Sequence, residues 1–510
     1  MNLMTAIQKG GRKPWVRWLL CIAGAVAFLG LAYVVIYHNK DLWHLWQPAS
    51  SNNDEVIYNR QLVGVLQNGQ PRGVFGYNEG RAQVGHFGAW GPVLILLYAI
   101  PGVLVGAGVN TMFWCNIFFA VAGWALFAMG TGLSWKKQLL FAGMVVCAWF
   151  PLQQVFTGAA EPLQFFLILA IVGASAALHR KFHWGWVVVL FLACALTTVT
   201  RAYTVLLWIF PVVLLWKHHR RLAIGSVAGA VVSTGAYLAV SKLFSAAFFS
   251  SNTIDFAAFS LLMEGKIFQA VAYAMTHLAD QCRELWRDAL APVLQGDFQE
   301  LGLAAWLVLF LLAVTAAVFV WDARHKRPVV FKACAVTVVG IGLLGLLEMY
   351  AMYAMSRHFI MLSVVLLAVL VYEDRFAGWF CLPLLVVLPY HLTNSVLPVY
   401  NAEMDSQMQI VAQALSAREE AQQNEDPWAH TLAYAFRDDV FHGYLYAVPA
   451  GMGIQFDQNT YLANAENPIH SQYVMVGHGS EAETRLVTDG WQELVSTEDL
   501  VVYEKPEGLQ

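Results

Sequence analysis

The stretch Asn52-Asn53-Asp54-Glu55-Val56-Ile57-Tyr58-Asn59-Arg60 follows, after a short linker, an apolar run from about Trp15 to Tyr37, and the contrast between the two decides the fold. Roughly 20 apolar residues suffice to cross a bilayer. Lys9, Arg12, Lys13 and Arg17 precede or open the run, which places that end in the cytoplasm. The apolar part is too long for a signal peptide and no small-x-small cleavage site follows between Tyr37 and Leu42, so a retained anchor is predicted. The polar stretch then emerges on the far side. Two adjacent carboxylates, a tyrosine and an arginine in a wet loop mark it as the expected active-site loop.

The rest of the chain extends the same contrast. Hydrophobic residues make up 58% and charged residues 13% of 510, the composition of a chain whose main solvent is lipid. A formal net charge of -4 gives no reason to expect a nucleic-acid partner, because the basic residues form short clusters between apolar runs rather than one stripe. Of seven cysteines, all but Cys282 lie in apolar runs without paired spacing, so neither a disulfide framework nor a zinc site is predicted.

Basic clusters at Lys136-Lys137, His179-Arg180-Lys181, Lys217 to Arg221 and Arg324 to Arg327 set the predicted topology, each on the cytoplasmic side. To keep Trp90 outside and Lys136 inside, one apolar piece between them must fail to cross. Gly91 to Gly108 is assigned that role, because it is short and carries Pro92 and Pro101. Spans then follow at about Asn110–Leu133, Gln138–Phe156, Pro162–Leu178, Trp184–Val199, Ala202–Trp216, Leu222–Phe244, Leu301–Trp321, Val329–Met349, His358–Tyr372 and Gly378–Tyr390. With the first run these make about eleven crossings. Two external loops are predicted, residues 38–90 and 245–300, the second with amphipathic spacing around Leu278, Leu285, Trp286 and Leu290. Residues 1–398 form the membrane domain. Residues 399–510 read as a small extracytoplasmic α/β domain, with a helix near Glu403 to Gln422 and strands at Tyr444–Val448, Gln472–Val476 and Leu500–Glu504.

This topology brings isolated ionisable residues at span ends to one face. Glu161, Arg201, Glu348, Arg357 and His358 all come out on the side of Asp54, and such residues mark substrate pathways in membrane proteins. The set suits transfer of a group from a phosphate-bearing lipid. Asp54 is the expected general base, and Arg201 and Arg357, with His358 beside them, are expected to hold the phosphate, whose oxygens match the guanidinium fork. Glu55, Glu79 and His86 are the candidate ligands for a divalent metal.

The order of these parts resembles the GT-C superfamily of membrane glycosyltransferases, in particular the protein O-mannosyltransferase and aminoarabinose-transferase-like branch, glycosyltransferase family 39 and its relatives. Asp54-Glu55-Val56-Ile57-Tyr58 is similar to the acidic pair and tyrosine of that family's first external loop, and Gly91-Pro92 with the run after it to its proline-containing amphipathic helix. Thr200-Arg201 and Ser356-Arg357-His358 are similar to basic motifs at the outer ends of later spans. The resemblance implies a GT-C fold and an inverting enzyme of the cell envelope. Its donor would be a sugar on a polyprenyl phosphate and its acceptor a glycan, lipid or protein hydroxyl. Asp54 would be the base, Glu55, Tyr58 and Glu161 would position acceptor or sugar, and Arg357 with Arg201 would meet the lipid phosphate. The C-terminal region is similar to the small external domains of many bacterial members, which implies a bacterial cytoplasmic-membrane enzyme. The paired prolines of many relatives are reduced here to Gly91-Pro92, and residues 85–90 match no pattern of the family, which leaves acceptor identity open.

No GxGxxG, P-loop or DxD signature accompanies these motifs, in keeping with a lipid-linked rather than nucleotide-linked donor. Two rival readings are an O-antigen ligase or polymerase, which places its key arginines and histidine mainly in a late external loop, and a secondary transporter, which shows related halves and midplane charges. No internal repeat is present, and the charges gather at one face. A scaffolding role leaves that one-sidedness unexplained.

Overall fold

The computed structural model describes residues 14–38, 41–49, 53–69, 75–79, 87, 91–217, 219–244, 257–350, 356–373, 392, 397–422, 424–436, 442–506 and 508. The chain forms a helical bundle followed by a small unit built on one sheet, each with its own apolar core. Among the described residues, seven helices are long and apolar enough to cross a membrane. The predicted span at Gly378–Tyr390 and the candidate ligand His86 lie outside the described residues.

The bundle opens with α1 (Pro14–Ile36), then α2 (Asn53–Asn68) and α3 (Gly91–Val105). The stretch expected to be a loop is thus helical from Asn53 on, with Asp54 and Glu55 in the first turn, where carboxylates complement the helix dipole. The 15 residues of α3 span about 22 Å, short of the roughly 30 Å hydrocarbon core.

At the centre are α4 (Thr111–Thr131) and α7 (Glu161–Arg180), the latter buried almost throughout. Their backbones touch. A Cβ on Gly130 would stand 2.2 Å from the Gly173 carbonyl oxygen, and one on Gly173 would stand 2.8 Å from that of Leu126. Small residues allow this approach, and packing rather than water release drives association in lipid.

The predicted span Gln138–Phe156 is broken. It consists of α5 (Trp135–Ala148) and α6 (Phe150–Val155), with Trp149 between them at φ 56° just ahead of Pro151, which cannot continue the helical ladder. After α8 (Trp184–Thr200) the chain passes through a tight 3-10 segment, Ala202–Trp208, into α9 (Ile209–Trp216). Then comes α10 (Arg220–Phe244), whose outward face exposes Val227, Val231 and Val232, as a lipid-facing helix does.

The described part of the second predicted external loop, from residue 257 on, is helical, as α11 (Ala257–Met263), α12 (Ile267–Leu285) and α13 (Ala291–Leu294), with a π turn at Trp286–Leu290. Helix α12 is strongly two-faced. Phe268, Val271 and Met275 are exposed, while His277 pairs with Glu348 at 3.4 Å and Arg283 with Asp280 at 2.5 Å. Three more helices, α14 (Glu300–Arg324), α15 (Val330–Tyr350) and α16 (Ile360–Glu373), complete the described bundle. Charges collect at both ends of these three. At one end buried Lys332 lies 3.1 Å from Asp322 and 3.0 Å from Glu373; at the other stand Glu348, Arg357 and Glu300.

The last part begins with α17 (Ala402–Ala421), and Asn401 caps it through the amides of Glu403 and Met404. Its strands are β2 (Thr431–Phe436), β3 (Gly453–Gln458), β4 (Tyr473–Gly477), β5 (Gln492–Ser496) and β6 (Leu500–Glu504), with short helices α18 (Asn459–Ala463) and α19 (Glu481–Thr488). Strands β4 and β6 fall where the sequence predicts them. Tyr444–Val448 does not form a strand: His442–Ala447 is a 3-10 turn. The sheet order is β1-β3-β2-β4-β6-β5, and its edge strand β1 (Phe75–Tyr77) comes from the segment between α2 and α3, paired parallel to Ile454–Phe456.

Candidate active site

Helix α2 joins the two parts. On one side Asn59 Nδ2 donates to the Gly108 carbonyl, and its Oδ1 accepts from the Met112 amide, fixing α2 to the start of α4. On another, the Arg60 guanidinium donates to the carbonyls of Leu445 at 2.8 Å, Pro449 at 2.9 Å, Met452 at 3.4 Å, and Val448. Two of these carbonyls, Leu445 and Val448, belong to the segment that the sequence reads as a strand, and the other two follow it. Burial pulls the Arg60 pKa down to about 10, so the guanidinium remains charged at neutral pH. Arg60 therefore belongs to the joint with the sheet unit rather than to the charged site.

The first turn of α2 carries Asp54 into that site. Arg357 Nη1 lies 2.6 Å from Asp54 Oδ2, and Arg357 Nε lies 3.9 Å from Glu161 Oε1. The same Glu161 oxygen receives Arg201 Nη2 at 2.6 Å. Two carboxylates and two guanidiniums thus alternate in a chain, Asp54, Arg357, Glu161, Arg201, drawn from four separate elements. The formal charges cancel. Glu161 and Arg201 are buried at 2% and 4% exposure, whereas Asp54 and Arg357 are 29% and 20% exposed, so the open end of the chain is at Asp54.

Tyr58 lies one turn along α2 from Asp54. Burial, and then the charges of Asp54 and Glu161, push its phenol well above the usual range, so it stays protonated as a hydrogen-bond donor. His358 is buried beside Arg357. Five of the residues expected to act together, Asp54, Tyr58, Glu161, Arg201 and Arg357, share one cluster, and His358 adjoins it.

Local sequence explains how Glu161 and Arg201 are held. Glu161 opens α7, where Pro162 takes a position that needs no amide donor. The preceding loop is fixed by Asn116, whose Nδ2 donates to the Thr157 and Ala159 carbonyls at 2.8 and 2.7 Å and whose Oδ1 accepts from Tyr98. Glu55 holds the same loop by accepting from the Gly158 amide at 3.2 Å. Arg201 follows α8, which is bound to α7 through Gln164: its Nε2 donates to Thr200 at 2.9 Å, and its Oε1 accepts from Thr197. The sequence reading missed Asn116 and Gln164. Each is a lone carboxamide in an apolar run, and that is the signal that would have found them.

The metal candidates separate from this cluster. The Glu79 carboxylate accepts from the His470 and Ser471 amides at 2.8 and 3.1 Å and from the Ser471 hydroxyl at 2.6 Å, within the sheet unit. Among the described residues no three acidic, histidine or cysteine side chains converge as a metal site.

Two polar atoms in the cluster are buried without a hydrogen-bond partner, Glu161 Oε2 and Arg357 Nε. Buried polar groups are nearly always paired. Together with the solvent-open Asp54, they give the site capacity for a ligand that both donates and accepts hydrogen bonds.

Comparison with known proteins places the fold. No family model matches the chain, and no curated protein does. Among solved structures, the Archaeoglobus fulgidus oligosaccharyltransferase AglB, in complex with an inhibitory peptide and a dolichol-phosphate, aligns over 95% of this chain and 74% of its own at 12% identity and a TM-score of 0.52. Its apo form aligns over 89% and 69%, at 12% identity and a TM-score of 0.50. ArnT from Cupriavidus metallidurans, bound to undecaprenyl phosphate, aligns over 96% and 99% at 14% identity, with a TM-score of 0.42. The chain has the GT-C fold, a polytopic helical membrane architecture with a C-terminal α/β unit.

Proposed function

We propose that this GT-C chain transfers a sugar from a polyprenyl-phosphate donor to an acceptor hydroxyl at the outer face of the cytoplasmic membrane of a bacterium, with inversion. The observation that carries the reading is the alternating Asp54, Arg357, Glu161, Arg201 chain with its open end at Asp54. AglB, a structure of this fold, is in complex with a dolichol-phosphate, which favours a lipid phosphate here.

The charges account for how such a step runs. At rest, Arg357 is neutralised by Asp54 at 2.6 Å. A donor phosphodiester brings one negative charge and competes for that guanidinium, which loosens its hold on Asp54 and leaves the carboxylate more basic. Asp54 then takes the proton of the acceptor hydroxyl. The oxygen attacks the anomeric carbon, the bond to the phosphate oxygen breaks, and the phosphate leaves with a second negative charge. Asp54 loses a negative charge as the phosphate gains one, so the site's net charge is constant through the step while Arg357 passes from one anion to the other. Such fixed charges, aimed at where charge develops, are a major source of catalysis. Arg201, locked to Glu161, holds the carboxylate that orients Arg357. Tyr58 donates to sugar or acceptor, Glu55 fixes the Gly158 loop, and His358 lines the phosphate side. The site residues, the external placement of the cluster and the extent of the outer unit, residues 399–510, are part of this proposal.

The test is release of polyprenyl phosphate from a panel of labelled polyprenyl-phosphate sugars by the full chain, with crude envelope glycans and lipids as acceptors. One donor should be consumed by the native chain, and Asp54→Asn should lower the rate about a hundredfold or more. Undiminished release by a folded Asp54→Asn protein would remove Asp54 as the base.

A further inference from the structure

Beside Glu55 three segments meet. A Cβ on Gly158 would stand 3.0 Å from Glu55 Cβ, 3.2 Å from Gln47 Oε1 and 3.4 Å from Glu55 Oε2, so both side chains approach the loop that leads to Glu161 at the same glycine. Gln47 is completely buried, yet neither its side-chain oxygen nor its nitrogen has a hydrogen-bond partner. From the sheet unit, the turn His442–Ala447 packs on both Gln47–Ala49 and α2, and it carries Tyr446. The Tyr446 hydroxyl is also buried without a partner. Burial, and then the neighbouring Glu55 charge, raise its pKa, so the hydroxyl keeps its proton. Arg60 grips the carbonyls on either side of it, at Leu445 and Val448.

A packed interior does not strand a donor, an acceptor and a hydroxyl together without cause, because leucine and phenylalanine would fill the same space at no polar cost. The set matches a ligand that donates and accepts at several adjacent positions. Ring hydroxyls do both; a phosphate oxygen chiefly accepts, an ammonium only donates, and an alkyl chain does neither. The arginines that suit phosphate are in the other cluster, around Glu161.

We propose that Gln47 and Tyr446, with Glu55, form a carbohydrate subsite at the junction between the bundle and the sheet unit. Gln47 and Tyr446 read the sugar's hydroxyls, and entry requires the His442–Ala447 turn to lift from Gln47–Ala49. This assignment rests on the transfer reading above and adds Gln47 and Tyr446 as the residues that read the sugar beside the base.

The full chain in lipid nanodiscs is titrated with methyl glycosides of glucose, galactose, mannose and arabinose, read by thermal unfolding. At least one glycoside should raise the unfolding midpoint of the native chain, and Gln47→Leu and Tyr446→Phe should each raise its half-saturating concentration about fivefold to tenfold, as loss of a hydrogen bond does. The ligand-free midpoint of both variants should match or exceed the native one, because a stranded polar group has been removed. The subsite is refuted if no glycoside shows an effect that these substitutions reduce, or if they lower the ligand-free midpoint, which would give them a structural role. In the donor assay, a raised KM for the lipid donor assigns the subsite to the donor's sugar; a raised KM for an added glycoside alone assigns it to the acceptor. Glycoside binding without polyprenyl phosphate release from any donor would sink the transfer reading and leave the subsite standing.

Discussion

Replacing Glu161 by glutamine tests whether the charge chain is built as the geometry implies. The pair with Arg201 is 2.6 Å long at 2% and 4% exposure, and Arg357 Nε stands 3.9 Å from the same oxygen. Removing one partner of such a pair leaves a buried uncompensated charge, at about 3–5 kcal/mol. Here the formal charge of the four-residue cluster changes from zero to +1, shared by two arginines facing one remaining carboxylate. Asp54→Asn acts at the open end, where the partners are 29% and 20% exposed and solvent screens the loss, so about 1 kcal/mol or less is expected. Arg201→Gln made together with Glu161→Gln should recover about 2 kcal/mol of the summed single losses. The chain supplies the reporter. Cys115, Cys147, Cys194 and Cys334 are buried in the bundle and react with a fluorogenic maleimide only on unfolding, and Cys194 lies on α8 one turn before Thr197. With exposed Cys282 and also Cys381 changed to serine, thiol labelling against denaturant gives the midpoints. A Glu161→Gln loss below about 1 kcal/mol, or strictly additive singles, would refute the account of Glu161 as the member that holds both arginines.

Arg60→Met should weaken docking of the sheet unit by about 2–4 kcal/mol, since four carbonyls lose their donor; limited proteolysis of the native and variant chains checks this. Burial, and then the adjacent Glu79 charge, push the Asp457 carboxyl above its ordinary range. Its stabilising effect is therefore fully present below the unfolded aspartate pKa and is lost as pH rises through the raised folded value. The unfolding midpoint of the sheet unit should fall over that rise, and Asp457→Asn should flatten the profile. Cys282, exposed on α12, should react with a membrane-impermeant maleimide from outside; reaction only after permeabilisation would reverse the proposed orientation.

The ionic residues were the legible part of the site. A charge at a span end is costly in lipid wherever it lacks water or a partner, and this pressure brings Glu161, Arg201 and Arg357 from distant positions to one face with Asp54. The basic clusters and apolar runs likewise gave the helical membrane fold, and β4 and β6 showed as short continuous apolar runs rich in valine. Asn53–Asn68 reads as part of a loop because polar residues after a span look the same whether coiled or helical, although Asp54 and Glu55 following two asparagines is a helix-start pattern. Tyr444 to Val448 has strand-forming residues, but its carbonyls are taken by Arg60, a partner 385 positions away at Leu445 that no local window contains. The same distance hides the pairing of Phe75–Tyr77 with β3.

That last pairing has a consequence for how the protein is made. Glu79, just after β1, donates its amide to Asp457, 378 positions later in the chain. At 5–20 residues per second, roughly 20 to 75 s separate the synthesis of the two. Over that interval the edge strand waits with its backbone unpaired, while the later apolar helices are threaded into the bilayer behind it. The edge strand is the earliest part of the sheet to be made, and it remains available to a chaperone or to a wrong partner until the C-terminal strands arrive.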